Sequence, residues 1–372
     1  MACTLTKSPS SNAYRYQCSF EGFKKQGYSE TEGIKLMHEA VSLADEAISS
    51  YARISSTTSS SSSSKGKSKE KASVVLALSC YGAILSPGQE YSGRYPPPYG
   101  RPSHSSSSAI SDDTWLKEAE NNLEEWHFNR LKVFASNPEI WNKLQYIAFE
   151  TLPVLYEGRA IKKAMTRLKR YLQESKNDSQ NKGKTRLPEW WISFVFPNGE
   201  LPSSTGNLES GDVTPRNIAM TMFKEDRTRL GSINTSQEEL VLEVPNGIGI
   251  NCTKMRYIPK IVEEYTLASL EVPSENCQER VLVLYPDGGL VYDPNTKTWH
   301  QDGGNAVSGE SSNEEGDPAQ IWASQLLQIA QEALKGGSKE KVWDRVILGG
   351  CCKASPAYIA ELSNLVNEGR SL

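Results

Sequence analysis

Two adjacent cysteines, Cys351 and Cys352, follow two glycines at the end of a short apolar run, Val346-Ile347-Leu348-Gly349-Gly350. Neighbouring thiols can ligate a soft metal or act as nucleophiles. A bond between them would be strained, because consecutive Cα atoms lie ~3.8 Å apart, below the usual ~4.4 Å minimum for a disulfide. In an extended strand the two side chains point to opposite faces, and the preceding glycines permit a kink that could aim both the same way. A third thiol, Cys252, ends a similar run, Gly247-Ile248-Gly249-Ile250-Asn251. Three converging thiolates would form an open zinc site with a fourth position left for substrate. The competing reading is a small, buried, apolar cysteine, the ordinary fate of an isolated free thiol. It holds less well for a pair behind two glycines.

Glu150 is the second candidate. It closes Tyr146-Ile147-Ala148-Phe149-Glu150 and precedes Thr151-Leu152-Pro153. At a strand end it would point into a barrel mouth, able to bind an ammonium group or act as a base. At a helix start it would merely complement the helix dipole, and its position alone does not separate the two. The remaining thiols do not join the cluster: Cys3 and Cys18 lie near an irregular terminus, Cys80 reads as a packing residue and Cys277 falls in a loop. No Cys-x-x-Cys pair supports a redox protein. Of four histidines, His104 lies in a serine-rich stretch, His38 and His127 in helical segments, and His300 before a polar insertion. Neither a Ser-His-Asp triad nor a histidine-held zinc has support.

The elements that must position these residues alternate in type. Ile34, Met37, Val41, Ala44 and Ile48 give Glu30 to Tyr51 a helical stripe. Strand-like runs then follow at Val74–Leu78, Leu144–Phe149, Trp190–Phe196, Ile248–Asn251, Val281–Tyr285 and Val342–Leu348. Helical patterns come after them at Trp115–Ala135, Leu155–Leu172, Asn217–Phe223, Ile258–Leu270, Ile321–Leu334 and Pro356–Glu368. Such alternation implies parallel strands with right-handed crossovers. The expected class is α/β, a (β/α)8 TIM-barrel type with about six of its eight strands readable. An open doubly wound sheet is the runner-up, but no glycine-rich phosphate loop follows any strand. On the barrel reading, Glu150, Cys252 and Cys351-Cys352 all fall at C-terminal strand ends, where barrel enzymes build their sites. Residues 1–13 are unpatterned. Residues 14–372 make the barrel domain, with polar insertions at about 54–73, 86–113, 174–188 and 301–318 read as surface loops or disordered segments.

Composition excludes several classes. Forty-one basic residues against 45 acidic leave a net charge of −4 over 372 residues, too weak a field for nucleic acid or anionic lipid. No apolar run approaches the ~18 residues of a membrane span, and the start of the chain shows no apolar signal-peptide core. Seven cysteines are odd in number and sparse, so a reducing, cytoplasmic setting is expected, with small-molecule partners.

Taken together, Phe149-Glu150-Thr151-Leu152-Pro153, Gly249-Ile250-Asn251-Cys252-Thr253 and Gly349-Gly350-Cys351-Cys352 resemble three successive motifs of the homocysteine S-methyltransferases. Ser79-Cys80-Tyr81-Gly82-Ala83, Glu90-Tyr91-Ser92-Gly93 and Tyr285-Pro286-Asp287-Gly288-Gly289 match further segments, and Tyr16-Gln17-Cys18-Ser19 looks like the segment after the family's second strand. The resemblance runs from about Tyr14 to the C-terminus. It implies a zinc-dependent barrel in which Cys252, Cys351 and Cys352 are the metal ligands and Glu150 holds the homocysteine amino group. Asn251 and Tyr81 would join it in binding substrate. It further implies transfer of methyl from S-methylmethionine or S-adenosylmethionine to the homocysteine thiolate, forming methionine, with no general acid or base beyond the metal-activated thiolate.

Where family members carry a strand ending in Asp-Gly-Gly, a helix and a second strand, only thirteen unpatterned residues precede the matched region here. Lys353-Ala354-Ser355 also replaces the usual Arg-Thr-Thr. These departures imply an incomplete barrel lacking one substrate-binding carboxylate. They predict a chain that is weak or inactive in catalysis although its zinc ligands are intact; the alternative function is an inactive zinc-binding remnant or a mis-started product.

Overall fold

A computed structural model describes residues 18–58, 72–102, 112–174, 186–202, 213–228, 240–272, 279–293, 298–301, 317–335 and 341–369. Cys3, Cys277, His104, residues 1–13 and, within the polar insertions, residues 59–71, 103–111, 175–185 and 302–316 lie outside the described residues. Six parallel strands form one sheet in the order β1 (Val74–Ser79), β2 (Leu144–Leu152), β3 (Glu189–Phe194), β6 (Gly247–Asn251), β7 (Val281–Tyr285) and β10 (Arg345–Leu348). Two small antiparallel hairpins sit in the connections: β4 (Arg227–Thr228) with β5 (Leu240–Val241), and β8 (Leu290–Asp293) with β9 (Thr298–Gln301). Sequence patterning missed both, because two- and four-residue strands are too short to show a period.

The helices are α1 (Phe20–Lys25), α2 (Glu30–Thr58), α3 (Asp112–Ala135), α4 (Pro138–Trp141), α5 (Leu155–Glu174), α6 (Pro215–Phe223), α7 (Ile258–Glu271), α8 (Pro318–Lys335) and α9 (Pro356–Gly369). Helix α5 shows why they form where they do. Ile161, Ala164, Met165, Leu168 and Leu172 recur at helical spacing and are buried. Gly158 lets the helix approach closely, since a Cβ there would lie 3.0 Å from Met222 and 3.1 Å from Phe194. Helix α6 starts where Thr214 accepts from the Asn217 amide, with Pro215 in the first turn.

The sheet is curled. Arg345 on β10 donates to Tyr146 Oη on β2 at 3.4 Å and to Glu189 on β3 at 2.7 Å. In a flat sheet, four steps of ~4.8 Å would hold β10 and β2 ~19 Å apart. Alternation along each strand then separates two faces. Ile147, Phe149, Ile192, Phe194, Ile248, Ile250, Leu282 and Leu284 pack outward under the helices. Ala148, Trp191, Val281 and Val283 fill the interior, with Val75, Tyr146, Tyr285 and Ile347 beside them. Burial on both faces explains runs such as Trp190-Trp191-Ile192 with no polar alternation. Strands β1 and β10 are the two ends of the order and do not pair with each other among the described residues. All four residues of β10 are only half-buried.

Two expectations about the insertions are corrected. Helix α2 continues to Thr58, into the serine tract. Residues 86–102 are not merely a surface loop, because Tyr95 is only 5% exposed and packs edge-on against Tyr81. The tyrosines of that proline-rich stretch supply the apolar area its serines and glycines lack. No helix among the described residues is long and apolar enough to cross a membrane.

Candidate metal centre and mouth

The three cysteines meet at the C-terminal mouth. Cys252 follows β6, while Cys351 and Cys352 follow β10 after Gly349 and Gly350. Their sulfurs all lie within 4.8 Å of one another. Cys252 and Cys351 are joined through their sulfurs, with Cα atoms 5.5 Å apart, and Cys352 Sγ lies 3.8 Å from Cys252 Sγ. This disulfide was not anticipated; it arises because the fold brings together thiols that are 99 residues apart.

Backbone bonds fix the cluster. Cys252 donates to Tyr285 O at 3.3 Å, Gly349 to Leu284 O at 2.9 Å and Cys351 to Pro286 O at 2.8 Å, while Gly288 donates to Cys352 O at 2.8 Å. The turn behind β7 thus clasps the turn behind β10. The glycines act differently from expectation. The left-handed residues here are Cys252 (φ 48) and Lys353 (φ 65), not Gly349 or Gly350. Gly350 is needed for space, since a Cβ would collide with Ala354; one at Gly349 would meet only Tyr285 Cβ at an ordinary 3.5 Å. A left-handed cysteine is a costly conformation held in place by its surroundings, of the kind that collects at functional sites.

Glu150, Ser193, Asn251 and Tyr285 share the interior register at the same end. Tyr285 Oη donates to Ser193 Oγ at 2.7 Å and also neighbours the Glu150 carboxyl. Burial pushes the Glu150 carboxyl up to about 7, and the Tyr285 hydroxyl beside it partly offsets this. Asn251, 1% exposed, accepts from the Thr151 amide at 2.8 Å and donates to Thr151 Oγ1 at 2.6 Å and to Cys351 Sγ at 3.8 Å. Its amide is thus engaged within the protein. Tyr81 is 8% exposed and stacks on Tyr99 at 4.1 Å, forming one wall beside the mouth.

Beneath Tyr81 lies a buried polar knot that sequence reasoning passed over. Glu157, with no exposed surface, accepts from the Tyr81 amide at 2.6 Å, Tyr95 Oη at 2.6 Å and His127 Nε2 at 3.0 Å. Arg130 donates to Ser79 O at 2.9 Å and lies over the Trp126 ring. Burial holds the His127 pKa below its ordinary value and brings Arg130 down to about 10. Glu157 sits at an ordinary helical position in the sequence, so nothing there marked it. Tyr91 was also missed as a site residue, though the motif Glu90-Tyr91-Ser92-Gly93 pointed to its neighbourhood; burial and the nearby Cys352 push its phenol well above the ordinary range.

The donor set fits a tetrahedral soft metal. Zn–S bonds of ~2.3 Å place sulfurs ~3.8 Å apart, the separation seen between Cys252 and Cys352, and loading requires that Cys252 and Cys351 be reduced and opened to a similar spacing. Residues 12–366 match the family model described as homocysteine S-methyltransferase. The chain belongs to the homocysteine S-methyltransferase family.

The homocysteine S-methyltransferases are enzymes, and curated members align along nearly all of this chain. Homocysteine S-methyltransferase YbgG of Bacillus subtilis is 27% identical over 363 residues, covering 97% of this chain and 78% of its own length. Homocysteine S-methyltransferase 2 of Arabidopsis thaliana is 27% identical over 359 residues, covering 96% and 78%. A selenocysteine methyltransferase of Astragalus bisulcatus is 22% identical over 358 residues, covering 96% and 78%. A solved structure of the homocysteine methyltransferase MmuM from Escherichia coli in its metallated form aligns at 19% identity and a TM-score of 0.49, covering 95% of this chain and 78% of that one.

Proposed function

We propose that this chain is a zinc-dependent methyltransferase that carries a methyl group from S-methylmethionine or S-adenosylmethionine to the sulfur of homocysteine, forming methionine. The observation that carries the reading is the convergence of Cys252, Cys351 and Cys352 at the strand ends of an α/β sheet, with the Glu150 carboxyl at the same mouth. Held by those three cysteines, a zinc ion would supply the Lewis acidity that keeps a bound substrate thiol ionised at neutral pH. Glu150 binds the homocysteine ammonium, and Tyr285, anchored by Ser193, orients the carboxylate. Asn251 holds the Cys351 side of the cluster, and Tyr81 with Tyr99 walls the substrate from water. A thiolate and a sulfonium cation lose their charges together in the transfer, so a dry wall favours the step. The substrate thiol gives up its proton to solvent when it binds, and the transfer that follows moves none, which suits a mouth where the nearby histidine, His127, is buried and bound to Glu157. In this reading the setting is a reducing cytoplasm, and the reaction is a step of methionine biosynthesis.

The relatives named for selenocysteine methylation make a selenol the competing acceptor. The test combines metal analysis of the reduced protein with product formation from homocysteine or selenocysteine and each sulfonium donor. Stoichiometric zinc, with methionine formation lost in Cys352→Ser, is expected. Undiminished methionine formation in a Cys252/Cys351/Cys352→Ala triple variant would overturn the reading, and a strong preference for selenocysteine would redirect the acceptor.

A further inference from the structure

Ser79 joins Glu150, Ser193, Asn251 and Tyr285 on the interior face at the mouth. It pairs in register with Glu150 across β1 and β2. Along β1 it falls on the face of Val75, which fills the interior, while Leu76 and Leu78 pack outward. Two of its companions are already engaged: Tyr285 gives its hydroxyl proton to Ser193 at 2.7 Å, and the Asn251 amide serves Thr151. Ser79 differs. It has no exposed surface, and its Oγ has no hydrogen-bond partner among the described residues. A buried hydroxyl left unpaired is unfavourable, so an orphan beside a site calls for a cause. The main chain around it is fixed from several sides. Ser79 O accepts from Arg130 Nη1 at 2.9 Å, Cys80 donates to Glu150 O at 3.2 Å, and the Tyr81 amide donates to Glu157 at 2.6 Å.

We propose that Ser79 is a substrate-binding residue, whose hydroxyl donates to the α-carboxylate of the acceptor amino acid while Glu150 takes the α-ammonium. Charge supports this division. Arg130 is 1% exposed, lies over the Trp126 ring, and leaves Nε and Nη2 without a partner among the described residues. The carboxylate of the same knot, Glu157, is bonded to Tyr81, Tyr95 and His127 instead. A guanidinium keeps its charge, so the strand end behind Ser79 is positive and favours an anion. Glu150, one strand away, offers the opposite sign, and a bound ammonium favours its ionised form. Spacing agrees as well. Neighbouring strands run ~4.8 Å apart, so an ammonium and a carboxylate on one carbon can each reach one of the two side chains. Entry is from the Glu150 side, since Glu150 is only half-buried. The pair reads a zwitterion, and it selects amino-acid thiols over simple ones.

This inference rests on the proposed function, and the experiment separates failure of one from failure of the other. Reduced, zinc-loaded full-length protein is titrated by calorimetry with three thiols. These are homocysteine, γ-mercaptobutyrate, which lacks the ammonium, and aminopropanethiol, which lacks the carboxylate. Ser79→Ala should weaken homocysteine and γ-mercaptobutyrate about tenfold to a hundredfold, the range for one hydrogen bond to a charged acceptor. Aminopropanethiol should bind it as it binds wild type. Glu150→Gln should give the mirror pattern, weakening homocysteine and aminopropanethiol but sparing γ-mercaptobutyrate. Because the hydroxyl has no partner in the fold, Ser79→Ala should also keep the Tm of the metal-free chain. A fall in that Tm would show a structural role and contradict the inference. If Ser79→Ala weakens all three thiols alike, none of them, or aminopropanethiol alone, the inference is overturned; the function stands as long as wild type binds homocysteine only when zinc is present. If zinc-treated wild type binds none of the three thiols, the functional reading falls and the inference with it.

Discussion

Asn251 and Thr151 exchange two hydrogen bonds across the inside of the sheet: the Thr151 amide reaches Asn251 Oδ1 at 2.8 Å and Asn251 Nδ2 reaches Thr151 Oγ1 at 2.6 Å. Each lies next to a residue of the proposed site, Asn251 before Cys252 and Thr151 after Glu150. Thr151 is also left-handed, at φ 62, a conformation that a β-branched residue keeps only when its surroundings demand it. The pair therefore couples the strand end that carries the carboxylate to the one that carries the metal ligand.

Removing the amide should be costly. Asn251→Ala leaves the Thr151 amide and hydroxyl unsatisfied inside the protein, a loss of ~2–6 kcal/mol at ~1–3 kcal/mol per orphaned group. Denaturant unfolding of the reduced, metal-free chain gives the stability, and zinc competition with a chelator gives the affinity. Both should fall together; a stable variant with wild-type zinc affinity would show that the coupling is incidental.

Glu150 is expected to act against stability. Its carboxyl is held at about 7 against ~4.3 when unfolded, so between those values the folded chain holds a proton that the unfolded chain has released. Stability therefore falls as pH rises through that window, and the penalty is complete above about 7. In the metal-free chain, Glu150→Gln should match wild type near pH 4 and exceed it at pH 8, by on the order of 2 °C in Tm per kcal/mol relieved. In the loaded enzyme the same change should raise the homocysteine KM. A Tm difference that does not vary with pH would contradict the titration, and an unchanged KM would contradict the binding role.

Inside the sheet, Gly249 is a matter of space. A Cβ there would fall on Ser193 Oγ and lie 2.9 Å from Val283 O. Gly249→Ala should displace Ser193, break its bond to Tyr285 and cost ~1–3 kcal/mol as overpacking. Thermal unfolding checks the stability. Gly349→Ala is the control, because its Cβ would have room, and it should be nearly neutral.

Most of the framework was legible because each strand and helix is long enough to show its period. The six strands of the sheet and the helices after them fall where apolar spacing put them, displaced by a few residues at the ends. Cys252, Cys351 and Cys352 could be singled out because cysteine is rare and two glycines preceded the pair. What escaped was information carried across the fold. The Asn251–Thr151 exchange spans 100 residues, and Tyr95 reaches Glu157 across 62. No local pattern encodes such a meeting. The disulfide between Cys252 and Cys351 escaped for the same reason.

Glu157 makes a sharper case, as a buried carboxylate hidden in an amphipathic helix. Its three donors are Tyr81, Tyr95 and His127. Glu157→Ala should destabilise by ~3–5 kcal/mol, the cost of breaking a buried charged network by removing one partner. Because Tyr95 anchors the segment bearing Tyr91, limited proteolysis should cut within residues 86–102 faster in this variant. Wild-type stability and proteolysis would mean that the knot neither supports the fold nor holds that segment.

The central claim is that Cys252, Cys351 and Cys352 hold a metal that leaves one position for the substrate sulfur, and X-ray absorption at the zinc edge tests it most directly. Reduced, zinc-loaded protein should show three sulfur neighbours at ~2.3 Å, rising to four when homocysteine is added. Cys352→Ser should lower both counts by one. A shell that stays unchanged on adding homocysteine, or one with no sulfur in it, would contradict the account.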